Sequence, residues 1–144
     1  MRLRHLAHGL LVALVASGPL SCGKDNNNGS KPVYPVGGQV FFQGKPTPGA
    51  LVLFQPVDDP DPQVPRPHGR VDQGGHFILS TYRANDGAPA GEYVVTIDWR
   101  KDIPGQGRRG PNLMPPKYHT PKESPLRVTV RAETNHLAPF EIPR

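Results

Sequence analysis

Glu92-Tyr93-Val94-Val95-Thr96-Ile97-Asp98-Trp99 reads in period two, with Tyr93, Val95, Ile97 and Trp99 on one face and Glu92, Val94, Thr96 and Asp98 on the other. Successive side chains of a strand point to opposite faces of its sheet, so this octapeptide is a strand with one face turned to an apolar core. The turn cluster Asn85-Asp86-Gly87-Ala88-Pro89-Ala90-Gly91 precedes it, and such residues mark a chain reversal.

The same punctuation recurs on both sides. Val36 to Phe42 reads as a first strand, Gln43 to Gly49 as a turn region, and Ala50 to Gln55 as a second strand apolar enough to lie centrally. Residues 56–69 (PVDDPDPQVPRPHG) hold five prolines and read as a long exposed loop, because proline cannot donate to a sheet ladder. Gly69 to Asp72 is a short strand candidate with its tight turn at Gln73-Gly74-Gly75. His76 to Tyr82 alternates, with Phe77 and Leu79 set against His76, Ile78 and Ser80. Leu126, Val128 and Val130 alternate with Arg127, Thr129 and Arg131, and residues 137–142 form a last edge strand candidate. Residues 100–125 are basic and proline-rich and show no element, and helical periodicity is missing beyond the first residues. Six or seven short strands in about 110 residues predict an all-β chain, a single antiparallel β-sandwich of about seven strands.

Composition is consistent with that reading. The 144 residues allow one domain with extensions. Nineteen prolines and sixteen glycines approach the share seen in disordered chains, but the ordered alternation assigns them to turns and strand margins. Formal net charge is +5. Without Arg2 and Arg4, the 17 Lys and Arg become 15 against 12 Asp and Glu, a surplus of three, which is too small to imply nucleic acid.

The first 22 residues have the plan of a secretory signal. Arg2 and Arg4 open it, an apolar run follows from Leu6 to Ala16, and Ser17-Gly18-Pro19 breaks the run before Leu20-Ser21-Cys22. The run falls short of the ~20 residues that span a bilayer. Cys22 is the only cysteine, so no internal disulfide forms. Its place resembles a bacterial lipoprotein signal, in which the cysteine carries lipid and becomes the first mature residue; ordinary cleavage nearby, after Ala16 or Ser21, is the alternative. Residues 23–32 read as a flexible polar linker (GKDNNNGS and its continuation) and 33–144 as the folded domain.

Three segments resemble a known family. Gly38-Gln39-Val40 followed by Gly44-Lys45-Pro46, Gly49-Ala50 and Val52-Leu53-Phe54 is similar to the opening of carboxypeptidase regulatory-like domains, which are transthyretin-like (prealbumin-like) sandwiches. Val71-Asp72-Gln73-Gly74-Gly75-His76-Phe77 resembles that family's turn, and Ala88-Pro89-Ala90-Gly91-Glu92-Tyr93-Val94-Val95 its lead into a strand. The resemblance covers residues 38 to 97. It implies a sandwich in a small bacterial envelope lipoprotein and implies little about activity.

Signatures of catalysis are sparse. There is no G-x-S-x-G elbow, no H-E-x-x-H and no phosphate-cradling glycine loop. His68, His76, His119 and His136 are not paired at metal-ligand spacing, and Asp58, Asp59 and Asp61 are interleaved with prolines. Trp99 and Tyr118 bracket the basic segment that holds Arg108 and Arg109, and these four residues are the candidate binding surface. The expectation is therefore a non-catalytic, cofactor-free, exported envelope module. It is held at a membrane through lipid on Cys22 and contacts a protein or glycan, with no nucleic acid among its partners. The alternative is a small-ligand-binding or hydrolytic transthyretin-like protein that uses His76 or His119.

Overall fold

The computed structural model describes residues 30–59 and 64–144. The leader expected over residues 1–22, Cys22 within it, and residues 23–29 of the linker lie outside the described residues. The elements are β1 (Val33–Tyr34), β2 (Val36–Phe42), β3 (Lys45–Pro46), β4 (Leu51–Pro56), β5 (His68–Arg70), β6 (His76–Ile78), β7 (Ala88–Pro89), β8 (Gly91–Asp98), β9 (Arg100–Ile103), β10 (Arg108–Asn112), the single turn α1 (Pro116–His119), β11 (Arg127–Val130), β12 (Asn135–His136) and β13 (Phe140–Ile142).

Two sheets form the body. In the first the order is β11-β8-β4-β5, every neighbour antiparallel. The second is built around β2. β12 and then β13 run parallel along one of its edges, while β6 and β3 run antiparallel along the other. The two sheets meet where His68 and Ser80 exchange backbone hydrogen bonds, His68 N to Ser80 O at 3.0 Å and Ser80 N to His68 O at 2.8 Å.

The core lies between the sheets. Val52, Phe54, Tyr93, Val95, Ile97 and Val130 from the first, with Val36, Val40, Phe77, Phe140 and Ile142 from the second, are buried in one apolar cluster. Phe54 meets Tyr93 with ring centroids 5.6 Å apart, and Phe77 stacks on Phe140 at 6.1 Å. Each such side chain contributes roughly 1.5–3 kcal/mol through removal from water. The chain is thus an all-β sandwich, as its alternation implies.

Several details differ from the sequence reading. Thirteen strand segments are present among the described residues rather than about seven, because prolines and bulges cut continuous strands into pieces. β12 and β13, for example, both lie on β2 but their register slips by one residue between them. The pairing of β13 with β2 is parallel, so the sandwich is not antiparallel throughout. The alternating run from His76 gives a strand only as far as Ile78. Residues 100–125 are not featureless: they hold β9, β10 and α1.

Strand directions divide the molecule into two poles. β1 pairs with β7, and two residues after β7 the chain starts β8 at Gly91. Lys31, just before β1, donates its backbone N–H to the Tyr82 hydroxyl at 3.1 Å and its Nζ to Asp59 at 3.1 Å. This is the pole at which the linker joins. Eight-residue β8 then runs about 25 Å to Asp98 at the other pole. β4 returns beside it, placing Pro56 opposite Tyr93 and Leu51 opposite Asp98.

Gly87 locks the first pole. Its φ is +97°, and a Cβ there would collide with the backbone carbonyl of Tyr34. Gly87→Ala is expected to cost more than about 3 kcal/mol by combining backbone strain with a clash that no side-chain rotation relieves. Gly105→Ala, at φ +73° with nothing within 4 Å of the added carbon, is expected to cost about 1 kcal/mol. Chemical denaturation of the two variants checks this; equal losses would mean the Tyr34 contact is not constraining.

Candidate functional site

The second pole carries a β-hairpin that leaves the body of the sandwich. β9 and β10 pair antiparallel with Arg108 opposite Ile103 and Arg109 opposite Asp102. The turn between them is Pro104-Gly105-Gln106-Gly107, with Gly105 at φ +73° and Gly107 at φ +59° and Gln106 N donating to Ile103 O at 3.2 Å. Register slips between Arg109 and Asn112, where Pro111 has no N–H to give.

The base of the hairpin is clamped. Asn112 Oδ1 accepts the backbone N–H groups of Trp99 at 3.0 Å and Met114 at 3.1 Å, and Leu113 N donates to Trp99 O at 2.8 Å. The indole of Trp99 donates Nε1–H to Pro48 O at 3.1 Å and packs edge-on against Phe42 at 6.0 Å. Asn112 Nδ2 is buried with no hydrogen-bond partner, which costs the clamp roughly 1–3 kcal/mol.

Between hairpin and sandwich lies a groove of about 470 Å³, whose charged lining is Arg70, Asp98, Arg100, Lys101, Asp102 and Arg109, with Leu51 and Pro48 as apolar floor. Arg100 is neutralised by Asp98, its Nε 3.0 Å from Oδ1. Arg70 spends one Nη1–H on Gly49 O at 3.2 Å. Lys101 Nζ sits 6.0 Å from the Trp99 ring centroid. Among the described residues, Arg70, Lys101, Arg108 and Arg109 have no ion-pair partner. On the groove face Arg70 and Arg109 keep donors available, with the carboxylate of Asp102 beside Arg109, while Lys101 projects from the opposite face of β9 over Trp99.

The four residues singled out from sequence are thus sorted. Arg109 lines the groove, and Arg108 is exposed next to it on β10. Trp99 is half-buried and serves the clamp. Tyr118 is only 5% exposed, held in α1 against the core with Lys117 Nζ 5.0 Å above its ring, so its ring is not offered to a ligand. Cys22 lies outside the described residues. Arg70 and Lys101 were missed; the Pro-Gly-Gln-Gly turn with the charged triplet Arg100-Lys101-Asp102 before it and the pair Arg108-Arg109 after it is the signal that finds Lys101, whereas Arg70 reaches the groove only through the pairing of Leu51 with both Arg70 and Asp98.

A second, more apolar hollow of about 480 Å³ lies on the outer face of β2, lined by Gly37, Gln39, His76, Ile78, His136 and Leu137. His76 Nε2 is 2.8 Å from Gln39 Nε2, and its Nδ1 is 3.6 Å from Asp72 Oδ1. Asp72, however, is engaged by the turn: its Oδ1 accepts the N–H groups of Gly74 at 2.8 Å and His76 at 2.9 Å. Among the described residues no group of three or more His, Cys, Asp or Glu is placed to hold a metal. Among them, too, no helix is long and apolar enough to cross a membrane.

Carboxylates elsewhere do the same kind of structural work. The backbone N–H of His76 is the main reason the Asp72 carboxyl is held below its usual range. Burial alone would push the Asp86 carboxyl up, but N–H groups from Thr81, Arg83 and Tyr82 outweigh it and hold the group low. Burial, with Tyr82 nearby, pushes the Tyr93 phenol up to about 12, and its hydroxyl donates to Pro89 O at 2.8 Å.

Asp72 and Asp86 therefore ionise more readily in the folded chain than in the unfolded one. Their contribution is complete above the unfolded carboxylate value of about 4 and is lost as pH falls from there through the lower folded values. Melting temperature is expected to drop below about pH 4, and Asp86→Asn to flatten part of that drop because an amide does not titrate. A variant profile parallel to wild type would show that this loop carboxylate is not coupled to folding.

Compared with known proteins, the chain matches no family model, no curated protein and no solved structure.

Proposed function

We propose that the protein is an exported, non-catalytic β-sandwich module of the carboxypeptidase regulatory-like kind, lipid-anchored at Cys22 and contacting a protein or glycan of the cell envelope through its hairpin pole. The observation that carries this reading is the placement of the two ends of β8. The linker joins beside Tyr82 and Asp59, and the charged hairpin lies about 25 Å away. An anchor at one pole leaves the other free to meet a partner.

The use of polar side chains supports a module that binds rather than reacts. Asp72, Asp86, Asn112 and Asn135 each direct at least one side-chain oxygen at backbone N–H groups that shape loops. Ser124 Oγ donates to Val95 O. A general base or nucleophile needs an acceptor or hydroxyl directed at a substrate, whereas these groups are directed at the chain itself. The family assignment is supported by where its three segments fall: Gly44-Lys45-Pro46 at the reversal from β2 to β3, Asp72 to Phe77 at the reversal into β6, and Gly91-Glu92-Tyr93 at the start of β8.

Metabolic labelling with a lipid precursor tests the anchor: the wild-type chain is expected to take up label and Cys22→Ala to lose it, and equal labelling would remove lipid from the reading. A photo-reactive residue at Gln106, at the hairpin tip, is expected to yield a discrete adduct in intact cells, whereas one at Arg83, near the linker, is not. Adducts from Arg83 alone would place the contact at the wrong pole.

A further inference from the structure

We propose that the groove between hairpin and sandwich binds an anionic, carboxylate-bearing polysaccharide, held by Arg70, Lys101 and Arg109. The inference rests on the reading above for its setting and names the partner of the same pole.

Three features of the groove point to that chemistry. First, its unpaired cations come from different elements, Arg70 from β5, Lys101 from β9 and Arg109 from β10. They therefore stand apart, Arg109 beside Asp102 on one face of the ribbon and Lys101 on the other over Trp99, instead of crowding one point, which suits a polymer with repeated charges better than a single small anion. Second, two of the three are arginines, whose planar guanidinium matches a carboxylate in a bidentate pair. Arg70 is oriented by its bond to Gly49 O, so less freedom is lost when its remaining donors are used. Third, Leu51 and Pro48 supply an apolar floor suited to the C–H faces of sugar rings, which a purely ionic surface lacks.

The competing anions are the headgroups of the anchoring bilayer. Residues 23–30 separate Cys22 from Lys31 and reach at most about 28 Å when fully drawn out. The groove lies about one β8 length beyond Lys31, roughly 25 Å. With the domain upright, contact with the bilayer that holds Cys22 would require the linker laid almost straight along its flank; with the domain on its side it would not, and the vesicle arm of the test separates the two. Screening limits attraction to within about 10 Å, so an upright domain is not drawn back toward that surface.

The test uses the full-length chain carrying Cys22→Ala, so that no acyl group contributes, with alginate as the polyuronate and phosphatidylglycerol vesicles as the bilayer. Wild-type side chains are expected to bind alginate at low salt and release it as salt rises, because counterions compete for the same cations. Replacing Arg70, Lys101 and Arg109 together with Gln is expected to weaken binding at least tenfold with the melting temperature kept. Replacing Arg83, Lys122 and Arg131, three exposed cations that do not line the groove, is expected to change it less than twofold. Equal losses from both triple variants would reduce the effect to net charge and overturn the proposal, as would absence of binding at low salt. Vesicle binding as tight as alginate binding and lost with the groove cations would overturn it in favour of a membrane. A Gln106 adduct in cells without alginate binding removes the polysaccharide and leaves envelope contact standing; alginate binding without the adduct supports the groove and removes the cellular contact.

Discussion

Burial of the inner face of β8 is the constraint on which the rest of the molecule depends. Tyr93, Val95 and Ile97 project from one strand into the middle of the apolar cluster. β4 and β11 flank that strand on either side, and Phe54 of β4 closes on Tyr93. The second sheet has to bring Val40, Phe77 and Ile142 against this surface, which fixes β2 as its centre and leaves β12 and β13 no place except alongside β2. The parallel pairing follows: the chain leaves β11, reverses through the Asn135 turn and can only run along β2 in the same direction as it. A one-residue slip of β8 would turn its apolar set to solvent, so the register at Leu51 opposite Asp98 also determines where the hairpin emerges.

A small sandwich without disulfides among its described residues has little stability to spare. The loops are secured by side chains that cap backbone donors, each a modest contribution of about 1 kcal/mol. Asp86 gathers the N–H groups of Thr81, Tyr82 and Arg83, and Asn135 bonds both N–H and C=O of Arg131. Asp86 is partly accessible and Asn135 a buried polar group, a profile often associated with active sites, yet their geometry is that of caps. The lowered carboxyls of Asp72 and Asp86 express the same bonds and are signs of loop order.

The parts of the fold that bury an apolar face were legible, because burial writes period two into the sequence. β2, β4, β8 and β11 all lie where alternation or an apolar run puts them, within a residue or two. The hairpin was not legible for the complementary reason. Arg100-Lys101-Asp102-Ile103 and Arg108-Arg109-Gly110-Pro111-Asn112 form a ribbon with both faces largely in water, so no hydrophobic period exists to be read. α1 was hidden by its length, four residues, too few to show a helical repeat; it is held by the burial of Tyr118 in the apolar cluster and not by propensity. Basic character in residues 100–125 could be read, but the joining of Lys101 and Arg109 to Arg70 could not, since it depends on sheet order.

The hairpin's composition and its function are two sides of one physical fact. A two-stranded ribbon is marginal alone, and this one has no apolar face with which to dock. Its order comes from the base, where Asn112, Trp99 and Pro48 tie it to the sandwich. A segment held only at its base is released from the demand that its other side chains bury anything. Those positions can then be filled with charge at little cost in folding, and here they carry four of the chain's cations against one carboxylate, Asp102. Asn112 Nδ2, buried without a partner, marks the stability given up to make the clamp. The side chains best suited to recognition thus stand, among the described residues, at a place where folding makes little use of them.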